Sequence, residues 1–207
     1  MEIVYRGAES IIYLGNYDNQ NVIIKERIKK NYRIDKIDDE LRKFRTKKEV
    51  KLLTEARKCG VATPKIFHVD EENHKIVMEY VEGKRVKELL NSSDEKTIME
   101  VCLELGNSIG KLHSSGITHG DLTTSNMILK GNQIFFIDFS LGEFTRKTED
   151  QGVDLNLLYE ALKSTHIRIL NICWRNIVKG YQKEYKNAEQ VLRKVEEIEK
   201  RARYAER

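Results

Sequence analysis

The stretch that decides the fold is THGDLTTSN at residues 118–126, followed by FFIDFSLG at residues 135–142. Asp121 lies in a predicted loop, Asn126 comes just before the apolar MIL, and Asp138 ends an apolar strand-like stretch. Phosphoryl transfer is catalysed mainly by positioning and charge neutralisation, and Mg²⁺ is held by oxygen ligands. The spacing therefore predicts a phosphoryl-transfer site in which Asn126 and Asp138 bind the metal. Asp121 is predicted to accept a proton from an attacking hydroxyl or to orient a water.

A cation for the phosphates is predicted at Lys25, which follows the β-branched run VII. Strand alternation can direct its ammonium into a cleft while Ile24 points away. Glu49 shares a helix face with Leu53 and Ala56, so it is the best candidate to pair with Lys25. Two unit charges about 4 Å apart interact by roughly 4 kcal/mol at an effective dielectric near 20, enough to fix a lysine rotamer.

The first part of the chain is predicted to be rich in strands. The stretches SIIYLGNY and NVIIKERI flank DNQN, and KIFHVDEENHKIVMEYV carries turn residues at 71–74, so each reads as a hairpin. Between them a helix is expected from about Asp38 to Cys59, with its acidic start at the helix N-terminus and Phe44 on its apolar side.

Strands become scarce beyond Gly83. Ser92 and Glu95 stand at capping-box spacing before a long apolar-periodic segment that Gly116 would end. The pattern predicts an α+β fold of two lobes in a single domain, residues 1–207. The β-rich lobe is expected at 1–78, a hinge at 79–83 and a reduced, mainly helical lobe at 84–207.

Composition restricts the class of protein. Of 207 residues, 40% are hydrophobic and 34% charged, and no apolar run reaches the ~18 to 20 residues that span a bilayer, so we expect a cytoplasmic protein without membrane contact. The three cysteines have neither CxxC nor zinc spacing and are expected to be free thiols. Residues 25–58 hold 14 Lys/Arg against 7 Asp/Glu, a bias that suits either an anionic partner or a solvated surface.

Taken together, VIIK, RTKKEVKLL, MEYVEG, HGDLTTSN and IDFSLG resemble the eukaryotic-like protein kinase fold, and their details resemble the small atypical PRPK-type kinases, the kinase subunits of the KEOPS complex. The resemblance covers nearly the full length. It implies ATP and Mg²⁺ as cofactors, with Lys25 on the α- and β-phosphates, Glu49 holding Lys25, and Asp121 as the catalytic base. It also implies that Asp154 braces the catalytic loop through backbone amides.

The same resemblance implies an adenine site around MEYV. Met78 would be the gatekeeper, and the Glu79 carbonyl and the Val81 amide would bond the base. Ile23 and Ile128 would lie above and below the ring.

Several positions depart from the protein kinase pattern. Gly7 is the only glycine of RGAESII, where a GxGxxG loop usually covers the phosphates, and Gly120 replaces the Arg of HRD. Thr123 stands where a Lys commonly faces the γ-phosphate, and losing one such donor typically costs on the order of 100- to 1000-fold in rate. Ser140 replaces the DFG glycine. The site is therefore expected to be slow and not switched by activation-loop phosphorylation.

The resemblance implies an atypical Ser/Thr kinase or ATPase that supports threonylcarbamoyl-adenosine (t6A) formation on tRNA, with the threonylcarbamoyl transferase subunit and other KEOPS subunits as partners. The C-terminal KRARYAER would contact tRNA, although a self-stabilised amphipathic helix explains the same pattern. Three alternatives stay open from the residues: a small-molecule phosphotransferase of the aminoglycoside or choline kinase kind, a RIO-type kinase, and a non-catalytic scaffold.

Overall fold

A five-stranded antiparallel sheet forms the first lobe of the protein. The computed structural model describes the backbone of residues 1–205 and the side chains of residues 1–201. The strands run in the order β1-β2-β3-β5-β4. Their bounds are β1 Glu2–Arg6, β2 Ser10–Tyr17, β3 Gln20–Arg27, β4 Ile66–Asp70 and β5 Lys75–Glu79.

Both predicted hairpins are confirmed, and β1 is an additional strand that the sequence pattern did not indicate. The β2–β3 turn has Asp18 and Asn19 at φ of 51° and 61°, as a tight hairpin turn requires and as Asn and Asp tolerate. In the central strand β3, Lys25 lies between Ile12 of β2 and Ile76 of β5. A central strand is held on both sides, which fixes the position of Lys25.

Helix α1 (Asp35–Lys58) packs against this sheet and begins three residues earlier than expected. Its residue Asp38 is fully buried and accepts a hydrogen bond from Arg42 Nε at 2.7 Å, rather than standing exposed in the first turn. The expectation that Phe44 lies on the apolar side was wrong, because its side chain is 63% exposed. Phe44 is two positions, roughly 200° around the helix, from the buried Thr46.

Five helices build the second lobe, and the predicted change of character near residue 83 is confirmed. They are α2 Val86–Ser92, α3 Glu95–Ser114, α4 Thr148–Thr165, α5 Leu170–Glu184 and α6 Ala188–Ala205. The capping box at Ser92 was wrong: the N-cap of α3 is Asp94, whose carboxylate accepts from the Thr97 amide at 2.8 Å. Helix α3 does end before Gly116, which has φ of +74°.

Helices α3 and α5 approach each other unusually closely, at a pair of glycines. A Cβ on Gly106 would lie 2.0 Å from the Ile177 carbonyl oxygen, and one on Gly180 would lie 2.1 Å from the Leu103 carbonyl oxygen. Only residues without a side chain allow backbones this close. This packing makes α3 the rigid base on which the loop at 118–126 rests.

Two small sheets hold the loops between the lobes. One pairs β6 (Lys84–Arg85), β8 (Met127–Lys130) and β9 (Gln133–Phe136), and the other pairs β7 (Ile117–Thr118) with β10 (Glu143–Phe144). The loop 118–126 therefore leaves one strand and enters another, and Asp138 follows the end of β9 by two residues. The predicted α+β arrangement of a β-rich lobe and a helical lobe is confirmed.

Helix α6 packs on α4 through the buried Val191 and Val195. Its cations reach α4 as well as their own helix, since Lys194 and Arg201 both pair with Glu149, at 3.1 and 2.9 Å. The basic tail expected to contact tRNA lies largely outside the described residues, because no side chain beyond residue 201 is described. Within the described part of the chain, no helix is both long enough and apolar enough to cross a membrane.

Candidate active site

The predicted pair of Lys25 and Glu49 is present at the cleft face of the sheet. The Lys25 ammonium donates to Glu49 Oε1 at 2.6 Å, and the two side chains are only 4% and 1% exposed. β3 supplies the lysine and α1 supplies the glutamate, so the pair joins helix to sheet. Burial strengthens such a pair and also makes each charge dependent on the other.

Arg27 is a member of this cluster that the sequence analysis missed. Its NH2 group donates to Glu49 Oε2 at 2.5 Å, and its side chain is 3% exposed. Both oxygens of Glu49 are therefore bound by cations of β3. Strand alternation could have found Arg27, because it lies two residues after Lys25 and so on the same face of the strand.

Asp138 and Ser140 complete the environment of Lys25. The ammonium donates to Asp138 Oδ1 and to Ser140 Oγ, both at 2.7 Å, and the Ser140 hydroxyl donates to Asp138 Oδ1 at 2.5 Å. Asp138 has φ of +63°, a left-handed conformation that a residue other than glycine adopts only when its surroundings impose it. Such strain is typical of functional sites.

These contacts change the protonation of the cluster in opposite directions. Burial alone would lower the pKa of Lys25, but the Glu49 and Asp138 carboxylates outweigh it and raise the pKa above its ordinary value. Burial alone would raise the pKa of Asp138, but the Lys25 charge and the hydrogen bonds from Ser140 hold it well below the usual carboxyl range. All three groups stay charged at neutral pH.

The loop residues Asp121 and Asn126 contact each other. The Asn126 amide nitrogen donates to Asp121 Oδ2 at 2.8 Å and to the Asp121 carbonyl at 3.1 Å. The Ile137 amide donates to the Asn126 carbonyl at 3.0 Å, which brings Asn126 beside the segment that ends at Asp138. Since the amide nitrogen is bound to Asp121, the amide oxygen of Asn126 is the atom suited to face a cation.

Asp154 braces the loop, as the sequence resemblance implied. Its carboxylate accepts from the backbone amides of His119 and Gly120, both at 2.8 Å, and from His113 Nε2 at 3.1 Å. Gly120 has φ of +80°, and a Cβ there would lie 2.2 Å from the Leu141 carbonyl oxygen. The loop path therefore requires glycine where the kinase pattern has arginine.

His119 is structural, as expected. Its Nε2 lies 3.0 Å from the Ile137 carbonyl, and its ring packs on Phe139 with ring centroids 4.4 Å apart. Phe139 is fully buried. The histidine thus joins the loop to the segment that carries Asp138 and Ser140.

The residues expected around adenine lie at the end of the sheet and on β8. Ile23 and Met78 are direct cross-strand partners, and Met78 and Val81 are buried. The Glu79 side chain is tied to Lys130 at 3.0 Å, which leaves its backbone for other contacts. Ile128 lies half-buried on β8.

The donor set suits Mg²⁺ better than a transition metal. Within the described residues no group of three or more His, Cys, Asp or Glu side chains could hold a metal ion. Mg²⁺ prefers oxygen ligands and is usually bound by one or two carboxylates together with phosphate oxygens. The Asp138 carboxylate and the Asn126 amide oxygen fit this pattern.

Comparisons with known proteins point in one direction. The family model described as RIO domain matches residues 14–145. KEOPS complex subunit Bud32 of Pyrococcus abyssi is 48% identical, over the whole chain and 98% of the relative. A probable bifunctional tRNA threonylcarbamoyladenosine biosynthesis protein of Methanothermobacter thermautotrophicus is 42% identical over 99% of this chain, which spans 37% of that longer protein.

The fold has a solved counterpart at low sequence identity. The structure "WaaP in complex with acyl carrier protein" matches with a TM-score of 0.64 at 12% identity, covering 96% of this chain and 88% of that one. At this identity the likeness concerns the fold alone. It supports the kinase-like arrangement of a strand-rich lobe and a helical lobe.

Proposed function

The chain belongs to the RIO-domain family of kinase-like proteins, among relatives that include KEOPS complex subunit Bud32, and we propose that it is the Mg-ATP-using subunit of a KEOPS complex. Its role there is in the t6A modification of tRNA. The names of its relatives support this assignment, since one is a KEOPS subunit and others are t6A biosynthesis proteins. The proposed partners are the threonylcarbamoyl transferase subunit, other KEOPS subunits and tRNA, and the proposed location is the cytoplasm.

The observation that carries the proposal is the buried cluster of Lys25, Glu49 and Asp138. Lys25 is only 3% exposed and stays cationic through two carboxylates within 2.7 Å. A cation fixed in this way can meet the phosphates of a nucleotide without reorganising, which is how preorganised charge lowers a barrier. A scaffold without chemistry would gain nothing from burying three charges that each cost desolvation.

The proposed roles of the loop residues follow from their contacts. Asn126 holds the Asp121 carboxylate at 2.8 Å, which orients Asp121 to accept a proton from a hydroxyl or from water. Asp138 and Asn126 would hold Mg²⁺, which when bound neutralises charge on the phosphates. Thr123 offers no cation near the transferred group, so turnover is slow. The output of the site is ATP hydrolysis or phosphorylation of a Ser or Thr hydroxyl.

Nucleotide recognition is proposed at the end of the sheet. The Glu79 carbonyl and the Val81 amide would bond adenine, Met78 would limit the depth of the pocket, and Ile23 and Ile128 would cover the two faces of the ring. Apolar surfaces with a few fixed polar backbone groups are typical of cofactor pockets. The single-domain division at residues 79–83 stays a prediction.

The test is an assay of ATP hydrolysis by the purified chain, alone and with its transferase partner and tRNA. We expect slow hydrolysis that the partner and tRNA stimulate, and that Asp121→Ala and Asp138→Ala each reduce by at least about 100-fold. Asp70→Ala, a change in the exposed β4–β5 turn, is the matched control. Hydrolysis that persists in both site variants would contradict the proposal.

A further inference from the structure

A small recess next to the Glu49 cluster collects most of the basic residues between β3 and the middle of α1. It has a volume of about 10 Å³ and is open to solvent on one side. Its lining consists of Glu9, Arg27, Ile28, Lys30, Arg33, Arg42 and Arg45. Five of these seven side chains are cations, and the kinase-like site uses none of them except Arg27.

Arg27 has an unused donor that faces this recess. Its NH2 group is held by Glu49 at 2.5 Å, so the planar guanidinium is fixed in orientation. Its Nε atom is buried and has no hydrogen-bond partner among the described residues. A buried charged donor left without an acceptor is unfavourable, and an anion in the recess would satisfy it.

The charges around the recess favour an anion. The carboxylates that touch its cations are Glu9, Asp38, Asp39 and Glu49. Two of these are shared with other groups, since Glu49 also binds Lys25 and Asp39 lies 2.7 Å from His74. The hydrogen bond from Arg45 and the nearby charges of Arg27 and Arg33 hold the pKa of Glu9 below its usual value.

The shape and the rim limit the size of the anion. A volume of about 10 Å³ is the space of one water-sized atom, enough for one oxygen of a tetrahedral oxyanion whose remainder stands in the open mouth. The rim has mixed charge, because Asp35 pairs with Lys29 at 2.9 Å and Asp39 is 57% exposed. Exposed carboxylates at the rim would repel a polyanionic strand but leave room for a single oxyanion.

We propose that this recess is a second anion site, separate from the nucleotide site, that binds one phosphate group through Arg27 Nε and the neighbouring cations Lys30 and Arg33. The two sites meet at Glu49, which Arg27 and Lys25 hold by opposite oxygens. The occupant is a compact oxyanion of the phosphate class.

The experiment titrates inorganic phosphate against the full chain at constant ionic strength, with chloride as the reference anion. Binding is measured calorimetrically with and without saturating Mg-ADP, because phosphate bound at Lys25 would be displaced by the nucleotide. The main variant is Arg33→Gln, since Arg33 makes only one ion pair, with Asp38 at 3.5 Å. Lys30→Gln is the second variant, in case the first affects folding.

The matched control is Lys47→Gln, which removes one positive charge from α1 outside the recess. Lys47 is 53% exposed and pairs with Glu71 at 2.9 Å. We expect one phosphate to bind in the presence of Mg-ADP, with affinity reduced at least about tenfold by Arg33→Gln or Lys30→Gln. Lys47→Gln should change it by less than about twofold.

Three outcomes would overturn the inference. Phosphate binding abolished by Mg-ADP would assign it to the nucleotide site. Equal weakening by Arg33→Gln and Lys47→Gln would assign it to diffuse surface charge. A short RNA oligonucleotide that binds with Arg33 dependence where phosphate does not would replace the single oxyanion by a polyanion.

Discussion

Glu49 holds two buried cations at once, so its removal should be the most damaging single change in the site. The variant Glu49→Gln keeps the size of the side chain and removes its charge. The amide has one oxygen for the two cations that Glu49 binds separately, Lys25 at 2.6 Å and Arg27 at 2.5 Å. Its nitrogen is a donor and faces one of those cations unfavourably.

The magnitude follows from burial. Removing one partner of a buried ion pair typically costs about 3–5 kcal/mol, because the remaining charge is left uncompensated. Lys25 keeps Asp138 at 2.7 Å, whereas Arg27 has no second carboxylate among its described contacts. For a domain of this length about 1 kcal/mol shifts Tm by roughly 2–4 °C, so we expect a decrease of roughly 6–20 °C.

The measurement is urea unfolding followed by circular dichroism, with Glu55→Gln as the matched control. Glu55 lies on the same helix, is 38% exposed and pairs with Lys58 at 2.8 Å, so its change should stay within about 0.5 kcal/mol. Adding Arg27→Met to Glu49→Gln removes one stranded charge and should recover about 1 kcal/mol or more. Equal losses for Glu49→Gln and Glu55→Gln, or strict additivity in the double variant, would refute the reasoning.

Three further predictions concern the loop and its support. Asp154→Asn should lower stability by about 2 kcal/mol or more and reduce ATP hydrolysis, because a buried carboxylate with three donors becomes an amide that cannot accept all of them; urea unfolding and hydrolysis rates check this. Gly120→Ala should cost at least about 1 kcal/mol at φ of +80° and displace the loop from the Leu141 carbonyl, while Gly131→Ala, at φ of +60° but with open space around it, should keep hydrolysis intact. Burial, with the nearby charge of Lys87, holds the pKa of His166 below its usual 6.5, so its contribution is present above that pH and lost below it; unfolding midpoints of wild type and His166→Gln should converge as the pH falls through 6.5.

The sequence predicted the parts of the site that depend on periodicity. Lys25 and Glu49 could be paired because strand alternation and helix spacing each assign a face, and Asp154 could be placed by resemblance. Phe44 was misplaced because an apolar residue on a long helix need not face the core. The left-handed backbone of Asp138 has no sequence signal, since the Lys25 and Ser140 contacts that impose it come from segments more than a hundred residues apart or from the turn itself.

Ser140 explains why this site is expected to work slowly and under the control of a partner. A glycine in its place would leave the Lys25 ammonium with two carboxylates, whereas the Ser140 hydroxyl adds a third acceptor at 2.7 Å and also bonds Asp138. Any phosphate that reaches Lys25 must therefore replace contacts that already satisfy it, and Asp138 must leave the same cluster before it can hold a cation. The free energy of these lost contacts opposes nucleotide binding, so an interaction that shifts α1, and Glu49 with it, would favour the bound state. A subunit that rests on α1 is thus better placed to stimulate ATP use than a change within the loop itself.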